Sequence, residues 1–81
     1  MSMQNEMRRV KKTNLEYKAR RLRGEIEGLC RVIAGNLDCS LNSPEQLPVA
    51  DIDGQWDELK GKWAELSVAN AGIARLEEEL S

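Results

Sequence analysis

Residues 52–80 read IDGQWDELKGKWAELSVANAGIARLEEEL. Within this stretch Ile52, Trp56, Leu59, Trp63, Leu66, Asn70, Ile73, Glu77 and Leu80 recur at alternating spacings of four and three. A helix turns once every 3.6 residues, so that alternation holds its members on one side of the cylinder. Sustained over about four heptads, it is the pattern of a coiled-coil seam. Asp51 and Asp53 flank its first residue, Ile52, and suit the start of a helix, as caps and as charges at the positive end of its dipole. The spacing predicts a helix over about 52–80.

The same rhythm appears earlier. Leu15, Ala19, Leu22, Ile26, Leu29 and Ile33 alternate four and three, which predicts a first helix over about 3–35. Gly35 and Asn36 are its expected stop, because both tolerate the left-handed conformation that closes helices. The connection, 36–51, holds both prolines. Ser43-Pro44-Glu45-Gln46 has the form of a capping box, with Ser43 as cap and Pro44 at the first helical position. One helical turn is expected there. Leu37, Leu41, Leu47, Val49 and Ile52 are expected to close over the end of the hairpin as an apolar cap.

These readings define one all-α domain spanning residues 1–81, an antiparallel two-helix hairpin, coiled-coil-like, with a long Pro-containing connection. Layering the stripes sets Ile33 against Ile52, Leu29 against Trp56, Ile26 against Leu59, Leu22 against Trp63 and Ala19 against Leu66. Leu15 then meets Asn70, and Arg8 meets Glu77. The assembly seam expected from sequence is therefore Leu22, Ile26, Leu29, Ile33, Ile52, Trp56, Leu59, Trp63, Leu66 and Asn70. With 81 residues the hairpin alone is marginal, since small cores leave little surplus over chain entropy. Dimerisation into a four-helix bundle is expected, with Asn70 fixing register as seam asparagines can. On the far side of the first helix, Met3, Met7, Val10, Asn14, Tyr17, Gly24, Gly28, Val32 and Gly35 form a second stripe where another backbone could approach.

The net charge of −2 conceals a polarity. Residues 1–37 carry nine Lys/Arg and four Glu, net +5, and residues 38–81 carry three basic and ten acidic groups, net −7. Two attracting helices account for that split. The alternative is a nucleic-acid-binding accessory protein, with Arg8, Arg9, Lys11 and Lys12 as the phosphate contacts. Three Glu interrupt the basic helix, however, and Tyr17 is its one base-stacking side chain.

Catalysis finds little support. The chain has no histidine, the commonest general base and metal ligand. Two cysteines alone cannot complete a four-ligand zinc site in one chain. No catalytic residue, cofactor or metal is expected, and no stretch reaches the roughly 18 apolar residues of a membrane span. The polar, basic N-terminus is no secretory signal. A cytoplasmic location is expected, with Cys30 and Cys39 held as buried thiols. The sequence reading is a non-enzymatic structural or protein-interaction module that self-associates through its heptad seam and binds an unidentified protein partner.

Overall fold

A computed structural model describes residues 3–81. Helix α1 runs Met3–Leu37 and helix α2 runs Val49–Leu80, with a single 3-10 turn, Pro44–Gln46, in the connection between them. The two helices pack along one another, forming a rod with Cα extents of 63 × 15 × 14 Å. The hairpin expected from sequence is therefore present.

The helix ends differ from expectation. Gly35 and Asn36 lie inside α1, and no residue among those described has a positive φ, so the left-handed closure is not used. Asp38 supplies the stop instead. Its Oδ1 accepts hydrogen bonds from the Ser40 backbone N–H at 2.9 Å and from the Ser40 hydroxyl at 2.6 Å, and its carbonyl accepts from the N–H groups of Leu41 and Asn42. This local turn competes with another turn of helix. It also favours the ionised carboxylate: the Ser40 hydroxyl, then the Ser40 N–H, holds the Asp38 pKa below its ordinary value.

The expected turn at Ser43–Gln46 forms, through the Gln46 N–H donating to the Ser43 carbonyl at 2.9 Å. The Ser43 side chain makes no cap bond. α2 begins three residues before the expected start, with Pro48 as its N-cap and the Ile52 N–H donating to the Pro48 carbonyl at 2.9 Å. Asp51 consequently lies inside the first turn, where its charge still meets the dipole favourably. The apolar cap is only partly made: Leu47 and Ile52 are half-buried, whereas Leu37, Leu41 and Val49 are exposed.

The first stripe packs as read. Ala19 and Leu22 are buried, and Leu15, Ile26, Leu29 and Ile33 are half-buried. Arg8, Lys12 and Asn36, at the same heptad positions, extend the stripe to both ends. In α2 Ile52, Leu59, Leu66, Ile73 and Leu80 are half-buried along the contact with α1. The alternate positions are not. Trp56, Trp63, Asn70 and Glu77 are exposed, and the residues one place earlier, Gln55, Lys62, Ala69 and Leu76, take the seam.

Size explains the choice. Ala19 and Ala69 are 1% and 2% exposed, and small side chains there let the helices approach closely. Gly72 allows the same beside Leu15, whose Cδ1 would lie 2.9 Å from a Cβ built on it. Two indoles in the seam would hold the helices apart. The register shifts accordingly. Arg8 pairs with Glu79 at 3.0 Å, and the expected partner Glu77 instead meets Lys12 at 3.7 Å. At the connection end Asn36 Nδ2 donates to Gln55 Oε1 at 3.0 Å.

Candidate assembly surface

A two-helix rod has two broad faces, one on each side of its seam, and here they differ. The first is marked where Arg23 Nη2 donates to Asn70 Oδ1 across the helices at 3.3 Å. Seven residues bring a helix back to nearly the same direction. Stepping by seven from Asn70 towards the connection gives Trp63, Trp56 and Val49, and from Arg23 gives Cys30 and Leu37. All five are exposed, with Trp56 at 50% and Trp63 at 61%. The connection half of this face is thus an apolar patch built from both helices. Its other half is polar, carrying Arg9, Glu16, Arg23, Asn70 and Glu77 on the same lines.

The opposite face is charged along its length. The lines flanking the seam there hold Lys11, Lys18, Glu25 and Val32 on α1, and Asp51, Glu58, Glu65, Gly72 and Glu79 on α2. Lys62 reaches this side from its seam position. Its aliphatic stem lies in the seam and its Nζ sits 3.2 Å from Glu25 Oε1, as a long cation snorkels past apolar neighbours.

Of the ten residues expected to form the assembly seam, Leu22, Ile26, Leu29, Ile33, Ile52, Leu59 and Leu66 are used between α1 and α2 of one chain. Trp56, Trp63 and Asn70 lie together on the exposed face. The second stripe of α1 also stays open: Met3, Met7, Val10 and Tyr17 are exposed, and nothing lies within 4 Å of a Cβ built on Gly24, Gly28 or Gly35. Among the described residues no close backbone approach accounts for those glycines. Arg20 lies over the Tyr17 ring at 5.6 Å, so the stacking surface expected of Tyr17 already has a cation on it.

Of the basic cluster, Arg8 and Lys12 face α2 and pair with its glutamates. Arg9 and Lys11 form no ion pair among the described residues. Cys30 and Cys39 are unbridged and exposed, not buried as expected. Among the described residues no three His, Cys, Asp or Glu side chains gather to hold a metal ion, and no helix is long and apolar enough to cross a membrane. The grooves along the rod are shallow, and one lies beside Leu15 and Gly72 near the open end.

The chain matches no protein-family model, no curated protein and no solved structure. The exposed tryptophan face was absent from the sequence reading. A signal for it existed in Trp63 and Trp56, seven apart, with Val49 seven before. Assigned to the seam by their spacing, the same two tryptophans read as core residues.

Proposed function

We propose that the chain is a non-enzymatic structural and protein-interaction module that self-associates as a homodimer. The observation that carries this reading is surface area. The chain exposes 6038 Å², against about 4,900 Å² expected for a compact monomer of 9.1 kDa. The excess, about 1,100 Å², exceeds the ~800 Å² that each partner of a standard interface buries. The thin core supports the same reading: among the described residues only Ala19, Leu22, Ala69 and Leu76 are buried. A second copy would cover apolar surface that one hairpin leaves in water.

Four helices then share a common core, and the dimer presents its polar outer faces to a further protein. A reducing, cytoplasmic setting fits the two exposed thiols. The alternative of nucleic-acid binding has less support, because two of its four cations are engaged by α2. Sedimentation equilibrium tests the reading. A mass near twice 9.1 kDa at micromolar concentration is expected, and a helical monomer under those conditions would refute it.

A further inference from the structure

We infer that two copies pack their tryptophan-bearing faces together about a two-fold axis running along the hairpin, so that α1 of each chain lies against α2 of the other. The inference rests on the self-association just proposed and adds which surface is covered and how.

The surface follows from the asymmetry of the rod. One face gathers Val49, Trp56, Trp63, Cys30 and Leu37 over half its length, whereas on the other the two lines flanking the seam carry mostly charges, with Val32 their one large apolar residue and Val68 exposed beside them. Desolvating half-exposed indoles is favourable and desolvating scattered carboxylates is not. Tryptophan is also the side chain that most often anchors an interface. The second copy therefore covers the face bearing Trp56 and Trp63.

The orientation follows from charge. Two hairpins joined face to face by a two-fold axis have two arrangements. With the axis across the helices, α1 meets α1 and α2 meets α2. With the axis along the helices, α1 meets the α2 of the other copy, antiparallel. α1 carries nine basic and four acidic residues, net +5, and α2 carries three basic and eight acidic, net −5. The first arrangement sets like charge against like along both contacts, and the second sets opposite charge against opposite. In the second, Arg9 on the polar half of the face comes level with the acidic end of the other copy's α2. The polar half then closes over the same contact that the tryptophans anchor.

The two arrangements differ in where the chain ends lie. A spin label on Gln4→Cys, in a Cys30→Ala/Cys39→Ser background, reads this by pulsed electron resonance. With the axis along the hairpin both labels sit at one end of the bundle, under about 35 Å apart given helix spacings of 8–10 Å. With the axis across, they sit at opposite ends, at least about 50 Å apart, the length of α1 at 1.5 Å per residue. A dimeric mass with the short distance is expected. A dimeric mass with the long distance overturns the orientation and leaves self-association standing, whereas a monomeric mass overturns both. The covered face is tested separately by light scattering: Trp63→Glu is expected to lose the dimer and Val32→Glu to keep it. The reverse result would overturn the assignment of the face.

Discussion

Leu22 and Trp63 both looked like core residues in the sequence, and their substitutions are expected to behave differently. Leu22 is 1% exposed, the largest fully buried side chain described. Leu22→Ala should cost about 2–5 kcal/mol, and the loss should be the same at any protein concentration, because the contact is within one chain. A tryptophan buried in the seam would cost ~3–5 kcal/mol on truncation to Ala. With most of its side chain outside the hairpin, Trp63→Ala should cost little in dilute solution. Its effect should grow with concentration as the wild type gains a partner that the variant lacks. Thermal melts at two concentrations a hundredfold apart check both. Asp38 gives a second residue-level outcome. Its pKa is lowered in the fold, so the stability it contributes is present above the ordinary aspartate range and is lost as pH falls through the lowered folded value. Because the Ser40 hydroxyl is the first cause, Ser40→Ala should move the Asp38 titration midpoint, read by NMR, upward towards that ordinary range.

At the scale of the helices, α1 was legible and α2 was legible by half. Every apolar member of the α1 stripe is buried or half-buried, because no competing phase exists: the neighbouring lines carry charges over most of their length, with Cys30, Val32 and Leu37 only towards the connection. In α2 two phases share Ile52, Leu59, Leu66, Ile73 and Leu80 and differ by one residue at the positions between. One offers Trp56 and Trp63 with Asn70 and Glu77, the other Gln55 and Lys62 with Ala69 and Leu76. Hydrophobicity favours the tryptophans over the first half of the helix and Ala69 and Leu76 over the second. The burial of Ala69 and Leu76 decides for the other phase, and how closely two helices pack at small residues such as Ala19 and Ala69 belongs to the pair, so neither helix displays it alone. The same limit hid the apolar face, which exists only because the tryptophans are displaced from the seam. The ends of the elements were missed for local reasons, since the Asp38–Ser40 turn and the Pro48 start depend on particular hydrogen bonds. The phase has a measurable consequence at Lys62. An ion pair exposed as Lys62–Glu25 is, 23% and 40% at its side chains, is worth at most about 1 kcal/mol. A leucine filling the same seam position gains roughly 1.5–3 kcal/mol if buried. Lys62→Leu is therefore expected to raise the stability of the hairpin by about 1 kcal/mol in urea unfolding. Under the tryptophan phase the same change would place a leucine in water and leave stability unaltered.

Taken as a whole, the molecule is a rod whose two ends are held differently. The connection end relies on the Asn36–Gln55 hydrogen bond, the half-buried Leu47 and Ile52, and, in the proposed dimer, the covered tryptophans. The open end buries Leu76 and half-buries Leu80, and it adds charge, with Arg8 on Glu79, Lys12 on Glu77 and the +5/−5 attraction of the helices behind them. Salt separates these contributions. Screening lengths fall from about 10 Å at 0.1 M to about 3 Å at 1 M, which weakens pairs at the solvated end while leaving apolar burial intact or strengthened. Each pair is worth about 1 kcal/mol or less, too little to unfold the chain but enough to change local opening several-fold, because fraying ends open with small free energies. Raising salt from 0.1 to 1 M should therefore speed amide hydrogen exchange around residues 8–12 and 77–80 by up to about fivefold, while the amides around Leu29, Ile33 and Leu59 should exchange no faster. A uniform acceleration along both helices would mean that charge holds the entire rod together. A uniform slowing would mean that apolar contact holds it throughout, and that the charge polarity of the chain serves some purpose other than pairing α1 with α2.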